Sequence, residues 1–248
     1  MSLLSVQDVT FGYTASKRVL DGVSLTIEPG DSIGLVGESG SGKTTLLRLL
    51  LGLTRPSTGS ITFNGTPLDP RSARFMRDYR RQVQVVFQDP YSSLDPRQTV
   101  LSIVSEPLRA LAIPGDHRQM VSDALASVGL ERNILSRYPH EFSGGQRQRI
   151  AIARAIVAGP SLLLADEAVS ALDLSTRIRI VDLLKSLSEQ MTLVFVSHDL
   201  GVVAALCQKI VILEKGRIVE AGATASILAN PQHPYTQRLL NSVPRMPA

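Results

Sequence analysis

Gly37-Glu38-Ser39-Gly40-Ser41-Gly42-Lys43-Thr44 fits the pattern G-x-x-x-x-G-K-[ST]. Ser32 to Val36 before it reads as a strand, and Thr44 to Leu53 after it reads as a leucine-rich helix. That order of strand, glycine loop and helix is the context in which the pattern binds phosphate. Glycines let the backbone wrap closely around an anion, so that successive N–H groups and the helix N-terminus point at it. Lys43 is expected to reach the terminal phosphates and the Thr44 hydroxyl to ligate magnesium, a hard cation that accepts oxygen ligands. Gly37, Glu38, Ser39, Gly40, Ser41, Gly42, Lys43, Thr44 and Thr45 form the candidate nucleotide-binding set. A glycine-serine surface turn followed by lysine is the plainer alternative, and the flanking elements argue against it.

Upstream, Leu3 to Thr10 and Val19 to Ile27 read as strands, with a turn at Glu28-Pro29-Gly30-Asp31. Downstream, Ser60 to Phe63 and Asn64-Gly65 predict a hairpin. Arg71 to Arg81 predicts a basic, solvated helix, and Gln82 to Phe87 another strand. Thr99 to Ala158 is mostly helical in pattern. Ser161 to Ala165 and Thr192 to Ser197 read as buried strands separated by the amphipathic helix Ser175 to Gln190, and Ile210 to Glu220 as a hairpin turning at Lys215-Gly216. The alternation predicts an α/β sheet protein.

Leu162-Leu163-Leu164-Ala165-Asp166-Glu167 is an apolar strand that stops in two carboxylates, where parallel sheets place ligands. Asp166 is suited to orienting magnesium, and Glu167 to polarising an attacking water as general base. Alone, two acids after a strand are often a helix-capping pair; beside a phosphate loop they read as catalytic.

Composition narrows the class. The 248 residues are 44% hydrophobic and 19% charged, which argues against a disordered polyelectrolyte. The 26 basic and 22 acidic side chains leave a formal charge of +4, too modest to single out nucleic acid, membrane or nucleotide. Cys207 is the single cysteine, so no intrachain disulfide and no multi-cysteine metal site is available. No stretch approaches the roughly 20 apolar residues that span a bilayer. Met1-Ser2-Leu3-Leu4-Ser5 lacks the features of a secretion signal, so the cytosol is the expected compartment.

Phe142-Ser143-Gly144-Gly145-Gln146 resembles the signature sequence of the ATP-binding cassette (ABC) ATPases, with Phe142 where leucine is commoner. Physically, Ser143 is placed to cap the helix running to Ala158 and leave its N-terminal amides open to an anion. The resemblance implies a P-loop NTPase fold, with a RecA-like core and antiparallel β subdomain from 1–88 and 160–248 and a helical subdomain from 89–159. It implies ATP and magnesium as cofactors, with magnesium held by Thr44, Gln88 and, through water, Asp166. It also implies a dimer in which Ser143, Gly144, Gly145 and Gln146 of one subunit close on the γ-phosphate held by the other. Further positions follow the family. Gln88 resembles the Q-loop glutamine, and Ser170-Ala171-Leu172-Asp173 the D-loop that crosses the dimer interface. His198 resembles the switch histidine and Tyr13 the aromatic that stacks on adenine. Ala168-Val169 depart from the family's usual proline and threonine without loss of a chemical group.

Within that family, Phe87-Gln88-Asp89-Pro90-Tyr91-Ser92-Ser93-Leu94-Asp95-Pro96-Arg97 and His233-Pro234-Tyr235-Thr236-Gln237-Arg238-Leu239-Leu240 resemble the dipeptide, oligopeptide and nickel importer branch, which is bacterial or archaeal. The expected partners are a second ATPase subunit, often a different chain, two permease subunits and a substrate-binding protein, with this chain peripheral on the cytoplasmic face and no nucleic acid bound. Tyr91 and Leu94 are expected to carry the coupling to the permease. An end eight residues after Leu240, with no cysteine beyond Cys207, and Ala168-Val169 tilt the resemblance toward the nickel-type ATPase rather than the peptide type. Alternatives stay open: an accessory ATPase of phosphonate carbon-phosphorus lyase, a channel-less cassette ATPase, or a lone P-loop kinase or GTPase, the last having no use for Ser143 to Gln146.

Overall fold

The computed structural model describes residues 2–14, 17–89 and 93–242. In chain order, β1 (Leu4–Thr14), β2 (Lys17–Ile27) and β3 (Ser32–Val36) lead through the glycine loop to α1 (Lys43–Leu50). The hairpin β4 (Thr58–Phe63) and β5 (Thr66–Pro67) follows, then α2 (Ala73–Gln82), β6 (Val83–Val86), α3 (Val100–Val104), α4 (Glu106–Ala110) and α5 (His117–Ser127). The chain continues with α6 (Gly144–Ile156), β7 (Leu162–Asp166), α7 (Leu174–Ser188), β8 (Thr192–Ser197), α8 (Leu200–Leu206), β9 (Lys209–Glu214), β10 (Arg217–Ala223), α9 (Thr224–Ala229) and α10 (Pro234–Ser242). It packs as two compact units, 77–191 and the remainder, a division drawn differently from the 89–159 helical subdomain expected from sequence.

In the unit formed by 1–76 and 192–248, β3 lies between two parallel neighbours. It pairs with β8 from Ser32↔Leu193 to Val36↔Ser197 and with β9 from Ile33↔Lys209 to Val36↔Ile212. Every residue of β3 and of β8 is buried, as expected of strands covered on both faces. Gly34 shows how close that cover lies: a Cβ there would stand 2.3 Å from Val203 Cγ1 of α8. The strands β2-β1-β4-β5 form a separate antiparallel sheet. Its Asn64-Gly65 turn has φ of 48° and 75°, the paired positive values that a two-residue hairpin of this twist requires.

In the unit 77–191, β6 and β7 pair in parallel from Val83↔Leu162 to Val86↔Ala165. The stretch expected to be helical resolves into α3 to α6 and two short 3-10 turns, with α6 burying Ile150, Ile152 and Ala153 completely. The basic helix is amphipathic: Met76 and Tyr79 on α2 are buried while Arg74, Arg77 and Arg80 stay in solvent. Three helices, α8, α9 and α10, were not anticipated from the sequence. Among the described residues no helix is long and apolar enough to cross a membrane.

Candidate active site

The phosphate loop leaves the carboxyl end of β3. Val36 pairs with Ser197, so Gly37 and His198 emerge from neighbouring parallel strands at the same edge, where such sheets hold ligands. Gly40 and Gly42 take φ of 79° and 111°, and Gly42 stands at the N-cap of α1 without a side-chain cap, leaving the first helical amides to the loop's interior. At Gly37 a Cβ would lie 2.2 Å from the Leu213 carbonyl oxygen and 2.6 Å from Ser41 Oγ, so only glycine fits. Lys43 is buried. Its Nζ donates to the Gly37 carbonyl at 2.7 Å and the Glu38 carbonyl at 2.9 Å, which curls the loop around its own cation. Ser41 Oγ is buried without a hydrogen-bond partner, an orphan polar atom inside the loop. Glu38, Ser39, Gly40 and Thr44 are exposed, whereas Thr45 is buried.

Tyr13 stands 57% exposed, edge-on to Phe11 with ring centroids 5.1 Å apart. Its hydroxyl lies 3.4 Å from Thr45 Oγ1 and accepts from Arg48 Nη1 at 3.4 Å, which together hold the phenol pKa below its ordinary value, the Thr45 contact contributing most. An exposed aromatic face tied to the loop helix is the geometry that adenine stacking needs. His198 is exposed. It is set between Ser197, whose Oγ accepts from Asp199 N at 2.9 Å, and Asp199, whose carboxylate caps α8 through Gly201 N and Val202 N.

The unit 77–191 carries further residues of the candidate set. Val86 pairs with Ala165, so Gln88 and the pair Asp166-Glu167 leave adjacent strand ends together. Gln88 Nε2 donates to Ser170 Oγ at 3.3 Å, and Ser170 Oγ donates to the Glu167 carbonyl at 3.0 Å, a chain that links Gln88 to the backbone of Glu167. Glu167 itself adopts φ 45°, a left-handed conformation costing a non-glycine residue on the order of 1 kcal/mol, and strain of this kind collects at functional positions. Asp173 is the N-cap of α7: its carboxylate accepts from Thr176 N at 3.0 Å and Ser175 Oγ at 2.8 Å. Those bonds, Thr176 foremost, hold its pKa down to about 2, so it stays ionised across the physiological range. Ala171 is exposed and Leu172 half-buried between them.

Ser143 caps α6. Its Oγ accepts from Gln146 N at 3.3 Å while Gln146 Oε1 accepts from Ser143 N at 3.0 Å, a reciprocal capping box. Gly144 and Gly145 open the helix, and a Cβ on Gly145 would stand 2.3 Å from Thr176 Cγ2 of α7. Gly145→Ala is therefore expected to reverse the usual gain from alanine in a helix and to destabilise by about 1–3 kcal/mol through overpacking. Thr176→Ser, which removes the offending methyl, should recover most of the loss in the double variant. Equal thermal unfolding of Gly145→Ala and the unaltered chain would show that the helices give way instead.

One position departs from expectation, one lies outside the described residues, and two contacts have no counterpart in the sequence reading. Tyr91 lies outside the described residues. Leu94 is only 2% exposed, so it does not present a docking side chain; Leu94 as a permease contact is corrected on that ground. Arg154 of α6 reaches back to the Ser93 carbonyl at 2.6 Å, and burial lowers its pKa. Glu38 N donates to Tyr235 OH at 2.8 Å, bringing the C-terminal helix to the phosphate loop across the fold.

Residues 20–170 match the family described as ABC transporter, and residues 219–248 match the oligopeptide/dipeptide transporter C-terminal region. A protein of Brucella ovis named as a candidate peptide import ATP-binding protein is 45% identical over 249 residues, 98% of this chain and 78% of that one. A glutathione import ATP-binding protein of Salmonella choleraesuis is 46% identical over 235 residues, 93% of this chain and 38% of the longer relative. Among solved structures, a dimeric ATP-binding cassette in a post-hydrolysis state with ADP and Pi superposes with a TM-score of 0.78 at 30% identity, covering 89% of this chain and 98% of that one.

Proposed function

The chain belongs to the ABC transporter family as an ATP-binding, ATP-hydrolysing subunit, and on that premise we propose that it powers a bacterial importer of small peptides. The observation that carries the cargo is the match of 219–248 to the oligopeptide/dipeptide transporter C-terminal region, supported by a peptide-import relative that covers almost the whole chain. Ala168-Val169 lean toward nickel, but the relatives described above lend nickel no support, and peptide is the better reading.

The nucleotide-binding core is read as 1–88 and 160–248, with 89–159 as the helical subdomain. The loop fits a phosphate: it carries uncapped amides at the start of α1, an orphan Ser41 hydroxyl and a buried ammonium. Thr44, Gln88 and Asp166 offer only oxygen donors, Asp166 through water. That is the donor set for magnesium, which would neutralise charge on the phosphates when bound. Glu167 takes the proton of the attacking water, Lys43 and His198 hold the terminal phosphate, Gln88 orients the water, and Tyr13 receives adenine. Ser143 to Gln146 complete the site of a second ATPase subunit across which Ser170 to Asp173 run. That partner is read as a different but related chain, with two permease subunits and a substrate-binding protein completing the system and this chain peripheral on the cytoplasmic face.

Two tests follow. Turnover per chain should rise with protein concentration, because each site borrows its signature from a partner; full activity at high dilution would sink the shared site. Cells lacking this subunit should lose dipeptide uptake and keep nickel accumulation. The reverse pattern would restore nickel as the cargo, and co-purification with a soluble lyase complex in place of permeases would point to the phosphonate alternative.

A further inference from the structure

The peptide unit joining Gly37 to Glu38 is held at both ends. Its carbonyl oxygen, on Gly37, accepts from Lys43 Nζ at 2.7 Å; its N–H, on Glu38, donates to Tyr235 OH at 2.8 Å. A peptide is planar, with the two groups on opposite sides, so either contact alone fixes the plane's orientation. The two differ in what else they have to do. Lys43 is the cation of a loop built around an anion, and a phosphate in that loop competes with the Gly37 and Glu38 carbonyls for the ammonium. Tyr235 has no such second claim.

The tail is built to hold the phenol in place. Tyr235 is 3% exposed, and its backbone N donates to His233 Nδ1 at 3.2 Å. The Glu220 carboxylate accepts from Gln232 N at 2.9 Å and His233 N at 3.2 Å, pinning the segment that precedes α10. Arg238, one turn on, lies with its guanidinium 5.8 Å from the Tyr235 ring centroid and reaches Glu214 at 3.4 Å. Glu214 ends β9 next to Leu213, whose carbonyl oxygen is the atom that leaves no room for a side chain on Gly37. Tail and strand thus meet the same peptide from outside the loop.

We propose that Tyr235 is a positioning residue for nucleotide binding: it keeps the Gly37–Glu38 peptide in its phosphate-ready orientation when Lys43 turns from the loop carbonyls to the phosphate. This rests on the reading of Gly37 to Thr45 as the ATP-binding loop. It gives the C-terminal region, matched at 219–248, a role in the chemistry of the cassette besides any role in transport.

The test is Tyr235→Phe in the full chain, which keeps the ring and its packing and deletes the acceptor. ATP and ADP affinity by calorimetry should weaken about fivefold, while the unfolding temperature without nucleotide falls by less than would account for that loss. KM for ATP should rise by a similar factor with kcat within about twofold, since the residue touches the loop and not the reacting atoms. Amide exchange at Glu38 should speed up on the order of tenfold, reporting the freed N–H directly. Unchanged affinity would overturn the proposal, as would a fall in unfolding temperature that accounts for the affinity loss, which would make the contact a tail anchor. Lys43→Ala run alongside separates the two readings. If the unaltered chain binds ATP and Lys43→Ala does not, an indifferent Tyr235→Phe condemns Tyr235 alone; if the unaltered chain binds no nucleotide, the loop assignment itself fails.

Discussion

Glu167→Gln is expected to hold ATP as well as the unaltered chain and to hydrolyse it more slowly by on the order of 10²-fold or more, the loss typical of a deleted general base. The substitution keeps the length and volume of the side chain. The backbone that presents it is fixed independently of its carboxylate, by the buried strand β7 behind it and by Ser170, whose N and Oγ both donate to the Glu167 carbonyl at 3.0 Å. Binding groups on Gly37 to Thr45 are untouched. The loss should therefore fall on kcat, with nucleotide affinity measured by calorimetry unchanged. Steady-state ATPase within about twofold of the unaltered protein in the assembled complex would remove Glu167 from the catalytic role.

Lys43→Ala is expected to act earlier, on binding. The buried ammonium makes hydrogen bonds to two loop carbonyls, at 2.7 and 2.9 Å, which on the proposed reading it exchanges for charge-assisted bonds to phosphate when nucleotide binds. Such bonds are worth roughly 1.5–3 kcal/mol each, so ATP affinity should fall on the order of 10²-fold. The pair of variants divides the site's work: one retains ligand without turnover, the other loses ligand. Calorimetric affinity for Lys43→Ala within about threefold of the original would place the anion elsewhere.

Much of this was legible because the relevant signals are local. β3 and β8 were read with their observed bounds, since a fully buried parallel strand is a short unbroken apolar run with turn residues on either side. The capping of α6 was readable from Ser143 and its spacing to Gln146. What escaped was set by partners far along the chain. α8 is short and its capping Asp199 sits within the segment read for His198, so the helix was not separated from the motif. α9 and α10 lie after the last hairpin, where the tail was quoted as a family likeness without an element assignment. Leu94 stands among serines, aspartates and prolines that read as surface, and only tertiary packing buries it. The contact from Glu38 to Tyr235 joins residues 197 positions apart, beyond any periodicity. The positive φ of Glu167 has no mark in the sequence because a glutamate there looks like any other.

The capping box at the head of α6 also bears on how this chain is free to diverge. Ser143 Oγ receives the Gln146 amide through an oxygen lone pair, and a hydroxyl has a proton besides, which the cap does not use. Folding thus draws on the acceptor side of the atom, and the proposed nucleotide contact on the donor side. Threonine preserves both, aspartate preserves the cap but sets negative charge where an anion is received, and alanine preserves neither. On the proposed site, drift at residue 143 is confined twice over, by the helix and by the nucleotide, whereas Glu167 caps no helix. In a lineage that had abandoned turnover, position 167 would wander first, and a capping side chain would persist at 143 as a relic of the helix rather than of the reaction.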